Sequence, residues 1–147
     1  MKKRYEDSEL VVRFFAYLND YKNFVHRVDE FLDKFVVETK KNFDKDKFNS
    51  EFRMMLSFVE KFFPCGFAKT KNAKSTPRVR FEAISVGVAL AMRERPDLEP
   101  NSMDWIDSED FKKHTTTHAS NSPNRVIGRI EYVKDMLLRR DENDVNA

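Results

Sequence analysis

The stretch Phe81-Glu-Ala-Ile-Ser-Val-Gly-Val-Ala-Leu-Ala-Met92 decides the fold. It is apolar nearly all round, and a helix of that kind is buried on every side rather than along one stripe. With the residues just before it, a central helix is expected over about Arg78 to Arg93, its start basic and polar. The segments on either side then have to supply the cover for such a helix.

They do so with one-sided helical stripes. Leu10, Val11, Phe14, Phe15 and Leu18 recur at helical spacing after Ser8, a candidate N-cap, and Asn19-Asp20 is a candidate break. Phe24, Val28, Phe31, Leu32 and Phe35 form a second stripe. Phe48, Phe52, Met55, Leu56, Val59 and Phe63 form a third, started by Asp44 or Asp46 and ended by Pro64-Cys-Gly66. Residues 67–77 read as a loop. Pro96 and Pro100 punctuate the next segment, where a short helix is expected near Ser102 to Ile106 or Ser108 to Lys113. The last helix has Ser122 as N-cap, Pro123 at its first position and a core stripe of Val126, Ile127, Ile130, Val133 and Leu137. Arg139 and Arg140 suit its C-terminal dipole. No segment reads as a strand. The expectation is an all-α bundle of five to six helices: one domain over residues 1–140, with an acidic, disordered tail over 141–147.

Composition narrows the class. With 147 residues and a 40% apolar share, the chain can bury a sizeable core. The single cysteine, Cys65, excludes an intramolecular disulfide and a Cys-rich zinc site, and fits a reducing cytoplasm best. The basic start has no apolar run behind it and so does not read as a signal peptide. No stretch has the length of a membrane span.

The net charge of +2 is too small for a general polycation, so the distribution of charge matters more than its sum. Lys61 to Arg80 contains no acid and carries Lys61, Lys69, Lys71, Lys74, Arg78 and Arg80. Glu94 to Asp110 carries seven acids against Arg95 alone. On separate faces these segments make a dipolar molecule, and in contact they neutralise each other. The basic loop with Lys69, Lys71, Lys74, Arg78 and Arg80 could follow a nucleic-acid backbone, which positions a protein without reading sequence. It could equally be a solvated loop, or Arg78 and Arg80 could pair with the acidic segment. The start of the last helix offers free N–H groups beside Asn121, Arg125 and Arg129, which could hold a phosphate or could equally be simple helix capping with two solvated arginines.

Other chemistry has less support. His114-Thr-Thr-Thr-His118 sets two imidazoles at i and i+4, where both could reach one metal with Asp107, Glu109 or Asp110 as a third ligand. Three threonines make a poor helix interior and no glutamate lies between the histidines, so a polar loop is expected and no metal. Cys65 follows Phe62-Phe63-Pro64 and reads as a half-buried structural cysteine, not as a nucleophile with a partner base. Trp105 is expected to dock on the core, with a partner anchor as the sharper alternative. No phosphate-binding Gly-rich loop is present, and no cofactor is expected.

Four segments, in this order, carry a resemblance. They are Arg13-Phe-Phe-Ala16 with Tyr21 and Phe31-Leu32; the Phe52 helix leading to Gly66-Phe67-Ala-Lys69; Arg80 through Ala91; and Ser120-Asn-Ser-Pro-Asn-Arg125 with Arg129-Ile130 and Val133. Together they resemble the helical C-terminal half of the GmrS-type proteins, the ParB-like domain-of-unknown-function family of GmrSD-like type IV restriction and phage-defence systems. The resemblance runs from about Asp7 to Leu138 and rests on order and spacing. It implies a helical half without the ParB-like catalytic half or the nuclease module, as in a split gene product, a remnant or an excised domain. On its own such a module is expected to be non-catalytic, to support or regulate a ParB-like partner, and to contact DNA. Arg80, Asn121, Arg125 and Arg129 match the family's polar positions. The alternative is a protein-interaction module with no nucleic-acid role, which could self-associate through the face of Leu10, Phe14, Phe15 and Leu18.

Overall fold

The computed structural model describes residues 2–25, 27–116 and 121–139, with side chains from Asp7 onward, and these residues form six α-helices. They are α1 (Lys2–Asp20), α2 (Val28–Lys40), α3 (Lys45–Phe62), α4 (Arg78–Glu94), α5 (Glu109–His114) and α6 (Pro123–Leu138). A 3-10 turn, Tyr21–Asn23, follows α1. No strand occurs among the described residues, so the all-α architecture holds. No helix among them is long and apolar enough to cross a membrane. The acidic tail lies outside the described residues.

The reading of α4 holds: every residue from Val79 to Ala89 is buried, charged ones included. The register around it comes from named contacts. Glu82 meets Arg129, Glu94 meets Lys134, and Arg95 donates to the Leu138 carbonyl, so α6 runs parallel to α4. Arg78, Glu82 and Arg93 meet Glu9, Arg13 and Asn19 in the same order, so α1 is parallel as well. The α3 side is reversed, from Glu51 beside Arg93 to the Phe67 carbonyl beside Arg80.

Close approach of α4 and α6 depends on Gly87. A Cβ there would lie 2.6 Å from Cβ and Cγ1 of Val133. The aromatic residues fill the remaining layers: Phe14 sets its edge on Phe52, Tyr17 stacks on Phe31, and Trp105 meets Phe63 and Tyr132 edge-on. Trp105 is buried and its Nε1 donates to the Ser102 carbonyl, so it docks on the core as expected.

Several local expectations need correction. Helix α1 begins at Lys2, and Ser8 lies inside it, because Lys, Arg and Glu continue a helix as readily as the apolar stripe does. Ser122 stands at the N-cap of α6, but its hydroxyl makes no capping bond. Asp44 does cap α3, accepting from the Lys47 N–H, and Ser108 caps α5, accepting from Phe111. Leu56 points outward, against its place in the stripe. Of the expected self-association face, Phe14 and Leu18 are covered within the chain, whereas Leu10 and Phe15 are partly exposed.

Candidate functional site

The fold separates the basic residues into two groups. Arg80 and Arg129 are interior, 3% and 1% exposed, and cannot reach a phosphate backbone. The physical reason is their position on helices whose whole circumference or inner stripe is covered. Arg80 Nη1 bonds Asp107 at 2.7 Å, its Nε donates to the Phe67 carbonyl at 3.0 Å, and its guanidinium lies over the Phe111 ring. The acidic segment therefore neutralises Arg80 and leaves the rest of the basic loop uncovered. Asp107 adopts φ 63° to make this contact, a left-handed conformation that Asp tolerates better than most residues.

Arg129 belongs to an ion network that sequence reasoning did not find. Glu82 on α4 is 4% exposed and bridges two helices. Its Oε1 accepts from Arg13 Nη1 of α1 at 2.8 Å, and its Oε2 accepts from Arg129 Nη1 of α6 at 3.1 Å. Arg13 also reaches Glu9 at 2.9 Å, and Glu9 comes within 3.9 Å of Arg78. Burial pushes the Glu82 carboxyl above the usual carboxylate range, and the two guanidiniums oppose that rise. Burial likewise lowers Arg129. The signal in the sequence was a lone carboxylate, Glu82, inside an all-round apolar helix, because such a charge must find buried partners.

Lys69, Lys71, Lys74, Arg78, Asn121 and Arg125 are exposed. The fold brings them to one end of the bundle. Arg78 lies one turn before Glu82 on α4, and Arg125 lies one turn before Arg129 on α6. Since Glu82 and Arg129 pair, the two exposed arginines stand at the same height on neighbouring parallel helices. Both helices start at this end, so the positive ends of their dipoles add to the side-chain charge. Lys113, a further cation not singled out in the sequence, joins them: its carbonyl accepts from Arg125 Nη1 at 3.2 Å. Lys113, His114, Asn124, Arg125 and Gly128 line a hollow of about 470 Å³ beside the start of α6.

Of the histidine pair, only His114 lies within the described residues. Helix α5 ends at His114, whose ring stacks on Tyr132 and whose Nδ1 contacts the Asp110 carbonyl at 2.8 Å. His118 lies outside the described residues. Cys65 is half-buried in the turn after α3, where it lines a small hollow with Arg80, Asp104 and Asp107. No group of three metal-ligating side chains occurs among the described residues.

Comparison with protein-family models, curated proteins and solved structures finds no match to this chain.

Proposed function

We propose that this chain is a non-catalytic helical module of a GmrSD-like defence system that supports or regulates a ParB-like partner and contacts the DNA backbone. One observation carries the DNA part: Arg78 and Arg125 stand level at the shared starting end of α4 and α6, beside the exposed Lys69–Lys74 loop. Convergent cations and helix starts favour a polyanion, which would compete with the loose Glu9 contact at Arg78. Backbone contacts of this kind position a protein without reading sequence, so a sequence-independent contact is expected. The link to a ParB-like partner rests on the order of the four resembling segments.

A salt titration of duplex DNA binding, followed by fluorescence anisotropy, tests this reading. Engagement of all five cations, Lys69, Lys71, Lys74, Arg78 and Arg125, gives a log–log slope of about −4.5. The Lys71→Glu/Lys74→Glu variant should bind at least about tenfold more weakly. Absence of binding at about 50 mM salt removes the DNA role.

A further inference from the structure

We propose that the groove between α1, α2 and α3 is a docking site for an amphipathic, acidic helical segment of a partner protein. The groove uses none of the proposed DNA-contacting residues and stands or falls independently of them.

Its floor is Val11, Val12 and Phe15 of α1, Phe35 and Val36 of α2, and Phe48 of α3, around about 530 Å³ of open space. Helix α2 is the unusual element. Its stripe of Val28, Phe31, Leu32 and Phe35 packs toward α1, yet none of its residues is fully buried. At the groove end, Phe43 is 57% exposed. An apolar stripe that its own chain covers only halfway, beside a large exposed aromatic, has the character of a protein-binding surface.

The charge around the groove selects the occupant. Lys40 and Lys45 stand at its rim, and no carboxylate among the described residues lines it. Asp20, Glu38 and Asp44 line the adjoining hollow with Lys34 and Lys47. An apolar floor with cationic edges complements a helix with an apolar face flanked by Asp or Glu. A symmetric second copy fits poorly, since a two-fold contact at this groove would bring Lys40 and Lys45 toward their own counterparts. No sheet edge is offered among the described residues, which leaves a helix laid into the groove as the mode of binding.

The probe is a fluorescein-labelled, monomeric helix-forming peptide of about four turns, with Leu at i, i+3, i+4 and i+7 and Glu at the flanking positions. A companion peptide carries Lys in place of Glu. The full chain should bind the Glu peptide in the micromolar range and the Lys peptide at least about tenfold more weakly. Phe43→Asp should abolish binding, and its exposed position leaves the circular dichroism unchanged. Lys40→Glu/Lys45→Glu should reverse the preference between the peptides. Equal binding of the two peptides, binding of neither, or binding indifferent to these variants overturns the proposal. So does concentration-dependent self-association that Phe43→Asp removes, because a second copy would then be the occupant.

Discussion

Glu82 Oε1 accepts a 2.8 Å hydrogen bond from Arg13 Nη1 across α1 and α4, with both side chains shielded from water. With Arg129 on the other carboxylate oxygen, three helices meet on one buried carboxylate. Breaking such a cluster and replacing it have very different costs. Glu82→Gln keeps the shape but removes the buried charge that Arg13 and Arg129 share, leaving Arg13 its half-exposed partner Glu9, and should destabilise the fold by about 3–5 kcal/mol. The triple replacement Arg13→Met/Glu82→Leu/Arg129→Met removes all three charges and should stay within about 2 kcal/mol of the parent, or exceed it. Urea unfolding followed by circular dichroism separates the outcomes. A loss below about 1 kcal/mol for Glu82→Gln would mean that the cluster is not held as an ionised network.

Gly87→Ala should destabilise despite Ala's better helix propensity. The propensity gain is about 1 kcal/mol. Against it stands a Cβ placed 2.6 Å from Val133 and 3.1 Å from the Ile130 carbonyl, on a β-branched neighbour with little freedom to move. Overpacking of this kind costs about 1–3 kcal/mol. Thermal unfolding should show a lowered Tm, and Gly87→Ala/Val133→Ala should recover part of the overpacking loss, giving a non-additive double-mutant cycle.

Two neighbouring basic positions should respond oppositely. Arg80→Ala removes a buried hydrogen bond to the Phe67 carbonyl and the pair with Asp107, and should cost about 2–3 kcal/mol of stability. Lys71→Ala, on an exposed loop, should change stability by less than about 0.5 kcal/mol. It should nevertheless weaken DNA binding and reduce the salt slope by about 0.9. Unfolding and anisotropy measured on both variants check the pair. Equal loss of DNA affinity with no stability change at Arg80 would contradict its interior role.

The tyrosines set the alkaline limit of the fold. Burial and the bond to Glu131 push the Tyr21 phenol up to about 12 from its ordinary 10.0. Tyr17 is raised by burial first and then by Glu82. A raised phenol keeps its proton in the folded state after the unfolded chain has lost its own. The stabilisation is therefore complete below pH 10 and is lost as pH climbs through about 12. Tm measured across that range should fall, and Tyr21→Phe should flatten the fall. Phenolate absorbance should show these two side chains ionising late.

The helices were legible because their apolar residues repeat at 3.6 spacing and their ends carry Pro, Gly, Asp or Ser. Burial of α4 followed directly from its lack of a polar face. The sorting of the arginines was not legible. Arg80 and Arg125 carry the same local signature, a cation next to a helix start, yet one is interior and the other exposed. That difference depends on which face Asp107 and Phe111 cover, a property of tertiary packing. Arg129 was less hidden, since it lies among Val126, Ile130 and Val133, where a solvated side chain has no room. The α1 side of the groove is partly legible, since Phe15 belongs to the stripe read as an interaction face, whereas the half-covered state of α2 depends on packing alone.

The parallel run of α4 and α6 also governs how the chain acquires its structure. Two helices that point the same way need a return path between them, and residues 95–122 supply it. Their contact is therefore non-local, and closing that connection costs entropy before any burial repays it. Up to Glu94 the chain supplies only Arg13 of the two arginines that Glu82 holds in the finished fold, and the flank of α4 that α6 covers has no cover. Helix α6 closes that flank, so commitment to the native state waits for nearly the whole described chain.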